Sequence, residues 1–193
     1  MKRLLLTVLA VLVLLGVLAW WFLGRRASVR PGADGAVAES PGPERVALPY
    51  PIYFPGRDGL LHAETRSLSV VRGDLATVAE AVTQSVLSGP EDDGHFRPWP
   101  EDTVLLGVVL TPSGTAYIDL GAEGEPDPPA VGSRQETAMI YSLVDSVTLA
   151  ELEIKNVVLL WNGEQRASFG GHLDTSRPLE ARTDLLARRP DVP

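Results

Sequence analysis

The chain has 193 residues, 45% of them hydrophobic, no cysteine and a formal net charge of −8. Without cysteine, a disulfide framework, a thiolate zinc site, a thiol nucleophile and a lipid-bearing N-terminal cysteine are excluded. Lys2, Arg3, Arg25 and Arg26 make the first 26 residues purely basic, so the remainder is more acidic still, repels phosphate backbones and makes nucleic acid an unsuited partner.

Residues 4–23, LLLTVLAVLVLLGVLAWWFL, carry no charge. As a helix they would measure about 30 Å, the thickness of a bilayer's hydrocarbon core. Trp20 and Trp21 fall where amphipathic rings favour the interface. The run is longer than the apolar stretch of a cleaved signal peptide, and Arg25-Arg26 follows it in place of a small-x-small site. The expectation is an uncleaved anchor over 1–26: a single pass through the cytoplasmic membrane, N-terminus inside, body extracytoplasmic. Residues 27–47, rich in Pro, Gly and Ala, read as a spacer.

The body is expected over 48–180, with 181–193 as a tail. PYPIYF (49–54) reads as an edge strand, because Pro49 and Pro51 cannot donate to a ladder. Pro55, Gly56, Asp58 and Gly59 turn the chain into a second strand over 60–70. Asp74 is a candidate N-cap for a helix whose stripe is Leu75, Val78, Ala79, Val82 and Val86, stopped at Gly89-Pro90. The polar loop EDDGHFRPWPED (91–102) follows. TVLLGVVL (103–110), the turn TPSG and TAYIDLG (115–121) form a hairpin, and the apolar run 104–110 predicts a strand covered on both faces or central in the sheet.

After the loop 121–132, Ser133-x-x-Glu136 reads as a capping box opening a helix with Ile140, Leu143, Val144 and Val147 buried. IKNVVLLW (154–161) and EQRASF (164–169) flank Asn162-Gly163, the strongest short hairpin signal, since a type I′ turn needs positive φ twice. The order is β-β-α-β-β-α-β-β. It predicts an α+β fold, a mixed sheet with two helices on one face.

LSGPEDDG (87–94), WPEDTVLLGVVLTPSGTAYIDLG (99–121), ETAMIYSLVDSVT (136–148) and GGHLDTSRPL (170–179) together resemble the GerMN domain of sporulation, spore-germination and other bacterial envelope proteins. The resemblance spans about residues 48–180. It implies a core similar to the ring-building motifs of secretion systems, here 74–88, 103–110, 115–121, 134–150 and 154–161, with a tendency to associate side by side. Sporulation members often carry two copies or a lipid-bearing cysteine. This chain has one copy and an apolar N-terminal run, so a sporulation role is not carried over.

The stretch FGGHLDTSRPL (169–179) concentrates polar side chains. A hydrolase would need an activated nucleophile in contact with His172 and an orienting acid; Ser168 and Ser176 are present, but no Gly-x-Ser-x-Gly elbow is. His62, His95 and His172 lack metal-ligand spacing, and Glu91, Asp92 and Asp93 lack the spacing of a calcium loop. The structural reading is preferred. Gly170 and Gly171 permit a tight turn, Asp174, Thr175 and Ser176 fix it, Arg177 pairs with Asp174 and Pro178 ends it. Trp99 and Trp161 read as core, with Trp161, if exposed beside the Asn-Gly turn, an interface anchor. No catalytic residue, cofactor or metal is expected.

The reading that follows is a non-catalytic, membrane-anchored envelope protein that binds envelope proteins or itself, through the edge at 49–54 and the helix at 74–88. The alternative is a peptidoglycan-binding accessory of cell-wall enzymes.

Overall fold

The computed structural model describes residues 43–151 and 153–188. The expected membrane span at 4–23, most of the spacer and the end of the tail lie outside the described residues. Among the described residues no helix is long and apolar enough to cross a membrane.

The described chain opens with a long hairpin. Strand β1 (Arg45–Pro55) pairs antiparallel with β2 (Leu61–Val71), from Arg45 opposite Val71 to Pro55 opposite Leu61. The strand therefore starts inside the stretch expected to be spacer. Pro49, Pro51 and Pro55 share one parity with Tyr53, whose N–H donates to Ser146 Oγ at 2.9 Å on a helix. In an antiparallel pair alternate residues face away from the partner strand, so the prolines sit where no ladder donor is needed. The inward parity buries Tyr50, Ile52 and Phe54.

Helix α1 (Leu75–Ser88) begins at Asp74, whose carboxylate accepts from Ala76 and Thr77 N–H. It ends at Gly89, with φ +86°, a conformation glycine adopts without strain. The carbonyls left open at this end are taken by two arginines. Arg97 donates to Leu87 O and Ser88 O at 2.6 Å each, and Arg66 to Gly89 O at 2.8 Å, placing positive charge at the negative end of the helix.

Strands β3 (Val104–Leu110), β4 (Thr115–Gly121), β5 (Asn156–Trp161) and β6 (Glu164–Gln165) form a second sheet in that order. Strands β4 and β5 are parallel, the other pairs antiparallel. Helix α2 (Ser133–Ala150) makes the crossover between the parallel strands, the kind of connection they require. The architecture is α+β with a mixed sheet and two helices.

Four expectations are corrected. The strands form two sheets rather than one, and both helices touch both: α1 meets β1, β2 and β3, and α2 meets β1 and β5. The apolar run 104–110 is an edge strand, because the crossover places β4 and β5 in the interior and leaves β3 paired on one side only. Its Val104, Leu106 and Val109 are exposed, and a register shift between Leu105 and Gly107 makes a bulge at Leu106. The strand expected over 164–169 shrinks to two residues, since the chain turns away to meet α2. The capping box does not form: the N-cap is Gly132 without a side-chain cap bond, so Ser133 caps nothing, and Glu136 is fully buried and directed elsewhere.

The Asn162-Gly163 turn has φ of +51° and +81°, as a type I′ hairpin demands. Gly163 N–H also reaches Asp119 Oδ1 at 2.8 Å. One core unites the hairpin, the helices and the inward face of the second sheet. Ile52, Val82, Leu143, Val144, Ile118 and Leu120 are completely buried within it.

The segment beyond 180 also packs. Arg182 N–H donates to Asp145 Oδ1 at 2.8 Å, its guanidinium lies 5.5 Å from the centre of the Tyr141 ring, and Ala187 N–H bonds Leu61 O. Asp145 is fully buried on α2, and its Oδ2 has no hydrogen-bond partner among the described residues. Burial pushes its carboxyl up to about 6, and the Asp184 charge adds to this against the Arg182 N–H. A raised carboxyl stabilises the fold below its ordinary pKa and loses that contribution as pH rises through about 6. Asp145→Asn is therefore expected to stabilise the protein at pH 7.5 by about 1–3 kcal/mol, with the gain vanishing near pH 4. Urea unfolding at the two pH values measures it.

Candidate functional site

After β6 the chain folds back as a closed loop. Thr175 N–H donates to Ala167 O and its hydroxyl to Arg166 O, while Gln165 Nε2 donates to Thr175 O. Beyond the loop, Leu179 and Val157 exchange both backbone hydrogen bonds, at 2.7 and 2.8 Å. That bridge fastens the loop's exit to β5.

The loop is organised by Glu136, in the first turn of α2. Its carboxylate accepts from Ser168 Oγ (2.8 Å), Gly170 N (2.6 Å), His172 N (2.8 Å) and Leu173 N (3.2 Å), and lies 3.1 Å from His172 Nδ1. Burial pushes the carboxyl up. The bonds from Gly170, Ser168, His172 and Leu173 outweigh that and hold it below the ordinary value. A Cβ at Gly170 would come within 3.1 Å of both the Glu136 carboxylate and Val131 O, so the close approach selects glycine. Gly171, at φ +91°, completes the turn, its N–H bonded to Ser168 Oγ.

The polar residues singled out by the sequence therefore share a loop but are not arranged as a Ser-His-Asp triad. Ser168 directs its hydroxyl to Glu136. His172 is half-exposed on the same carboxylate. Asp174 accepts from Ser176 N–H and hydroxyl and from Arg177; the Ser176 hydroxyl is the main reason its carboxyl lies below the ordinary value. Ser176 is thus turned toward Asp174, and Pro178 precedes the bridge to β5. Among the described residues neither serine bonds His172, and Asp174 does not orient it. Phe169, at the loop's entry, packs edge-on against both Trp99 and Trp161, with ring centres 6.1 Å apart in each case. Both tryptophans are core residues, and Trp161 Nε1 donates to Glu125 O.

A second carboxylate does the same for the loop 91–98. Glu64 on β2 accepts from Arg66 (2.7 Å), from Glu91 and Asp92 N–H (3.0 and 3.3 Å), and lies 2.7 Å from His95 Nδ1. Burial opposes its ionisation, but His95, Arg66 and the two amides bring it down to about 2. His95 in turn stacks on His62, with ring centres 5.2 Å apart. His62 is bonded to Asp58, and Asp92 to Gly94 N–H.

Sequence reasoning missed Glu64 and misassigned Glu136. For Glu136 a signal existed: it stands four, seven and eleven positions before Ile140, Leu143 and Val147, on the buried stripe. An acid there has to find donors inside the protein. For Glu64, on an edge hairpin, the pattern of residues offers no such sign.

Both carboxylates are held below their ordinary values, so their contribution is complete above about pH 4.5 and lost as pH falls. Glu136→Ala strands five donors and is expected to cost on the order of 3–5 kcal/mol in urea unfolding, against under about 1 kcal/mol for His172→Ala. Glu64→Gln is expected to flatten the fall in melting temperature between pH 4.5 and 2, because the titrating group for that window is gone.

Comparison with known proteins agrees with this architecture. The family model Germane, described as sporulation and spore germination, matches residues 51–167. A candidate lipoprotein from Clostridium perfringens is 19% identical with a TM-score of 0.51, over 74% of this chain and 93% of that one. The first GerMN domain of the sporulation protein GerM from Bacillus subtilis is 20% identical with a TM-score of 0.54, over 71% and 99%. The tandem GerMN domains of GerM are 18% identical with a TM-score of 0.55; the match covers 72% of this chain but 48% of that one, about half its length. At these identities the structures establish a common fold. No curated protein matches the chain. The family match extends over more than half of the sequence, and the chain belongs to the Germane family of sporulation and spore-germination domains.

Proposed function

We propose that this protein is a membrane-tethered, non-catalytic assembly module of the cell envelope, whose Germane domain engages other envelope proteins through the open face and edge of its second sheet. One observation carries the reading. Val104 (49% exposed), Leu106 (54%), Val109 (65%) and Tyr117 (38%) are large apolar side chains displayed on β3 and β4, with Val109 directly opposite Tyr117. Strand β3 is paired on one side only. Such an apolar face beside an open strand edge is a surface suited to another protein.

This moves the contact surface from where the sequence placed it. The outward parity of β1 carries prolines and a Tyr53 N–H already given to Ser146, and α1 is packed against strands of both sheets. The tether is supported by the uncharged run 4–23, and the extracytoplasmic placement by the short basic N-terminus. The non-catalytic reading is supported by the loop 168–179, whose serine hydroxyls and buried carboxylate are engaged in holding the backbone.

A photo-crosslinking residue at 109 or 117 of the full chain, expressed in cells, is expected to capture an envelope protein, whereas one at 176 is not. Val109→Lys is expected to reduce capture from position 117 at least about tenfold, the scale of a desolvated interface contact. Equal capture from 176, or none from 109 and 117, overturns the proposal. A C-terminal alkaline phosphatase fusion is expected to be active; an inactive fusion reverses the orientation.

A further inference from the structure

A cleft of about 630 Å³ opens between the turn of the β1–β2 hairpin, the segment 96–98 and the start of α2. Its lining is unlike the rest of the chain. The sequence carries 25 acidic against 17 basic residues, yet the cleft is lined by Arg57, Arg97 and Arg134 and by no acid. Arg97 is committed to the end of α1. Arg57 and Arg134 are exposed, and their side chains make no hydrogen bond or ion pair among the described residues. The lining also includes Pro55, Phe96, Pro98 and Ala138, and Phe96 is 51% exposed.

The walls are fixed in advance. Phe96 N–H donates to Pro55 O at 2.8 Å, Gly56 and His95 form a bridge, and Glu64 holds His95 from behind. A Cβ at Gly56 would meet the His62 ring at 2.6 Å, so wall and stack are packed without slack. At the opposite wall the first helical bond is Glu136 N–H to Gly132 O, and no side chain caps α2. The amides of Ser133, Arg134 and Gln135 are therefore without helical acceptors. They add to a charge preference that the two free guanidiniums set.

We infer that this cleft binds a short peptide segment of a partner protein, a nonpolar side chain against Pro55, Phe96 and Pro98 and a carboxylate held by Arg57 and Arg134. Guanidinium pairs carboxylate through parallel N–H···O bonds, and a pocket of this size with a few polar groups on apolar walls fits a small amphipathic ligand. A glycan is less well matched. Sugar hydroxyls need many polar partners, and Ser133 and Gln135 are the only uncharged polar side chains in the lining. The inference rests on the reading of the domain as an interaction module and names a second surface for it, separate from the β3–β4 face.

The test is fluorescence anisotropy with the purified full chain in detergent and a labelled Ala-Leu-Phe tripeptide. The free carboxylate is expected to bind with Kd below about 1 mM and its C-terminal amide at least about tenfold more weakly. The double variant Arg57→Ala/Arg134→Ala, which removes exposed and unpaired side chains, is expected to bind the carboxylate form at least about tenfold more weakly with an unchanged melting temperature. Phe96→Ala is expected to weaken both forms. Equal binding of acid and amide, no binding up to about 10 mM, or unaltered binding by the double variant overturns the inference. So does competition by inorganic phosphate as effective as by unlabelled peptide, or binding of a purified cell-wall stem peptide attached to its sugars more tightly than the tripeptide. Tripeptide binding that fails while capture from positions 109 and 117 persists would sink this site and leave the β3–β4 surface standing.

Discussion

A carboxylate removed from water has to be given back its hydrogen bonds, and in this domain Glu136 receives them from a loop more than thirty residues downstream. The donors are mainly backbone amides of Gly170, His172 and Leu173, with the Ser168 hydroxyl. Amides cannot be supplied unless the loop holds one conformation, so the carboxylate selects that conformation from among all those glycine permits. The order of residues around it then follows. Small residues stand where the carboxylate approaches, an aromatic precedes them to enter the core between Trp99 and Trp161, and Leu179 at the exit is delivered to Val157. The polar cluster that first resembles an active centre is the visible part of this clamp.

Glu64 repeats the device on the other sheet. One acid on a strand gathers Arg66, His95 and two amides, and so fixes a loop between α1 and β3 that has no regular structure of its own. The pair explains how a domain with long irregular connections keeps defined surfaces. Core burial assembles the helices and strands. The two carboxylates position the loops on top of them, and the loop held by Glu64 forms a wall of the cleft. Rigid walls lower the ordering cost of any contact made there.

What could be read from the sequence was what local rules decide. Asn162-Gly163, Asp74 and Gly89 each act within a few residues, and the structure has their turn, cap and stop. The family resemblance was legible because it rests on the order of such segments. Long-range pairing was not. Whether VLLGVVL lies inside a sheet or at its rim depends on which strand α2 delivers to β4, and no residue within 104–110 encodes that. The same holds for Glu136. Its local environment offers a cap box with Ser133, while tertiary contacts offer five donors, and the larger set prevails. The Asn162-Gly163 turn promises a returning strand over 164–169, but the loop's demand on Ser168 and Phe169 pulls them out of the ladder after two residues.

The bulge at Leu106 bears on how such a domain avoids runaway polymerisation. An unprotected rim with exposed aliphatic groups invites strand after strand to add, ending in fibres. Here the pairing register breaks between Leu105 and Gly107, so the open rim is two short pieces at different twist rather than one straight template. A neighbour that docks on the face can still cover the aliphatic groups, but a strand trying to extend the sheet meets a kink midway. The distortion thus limits extension of the sheet past Leu106, whatever covers its face.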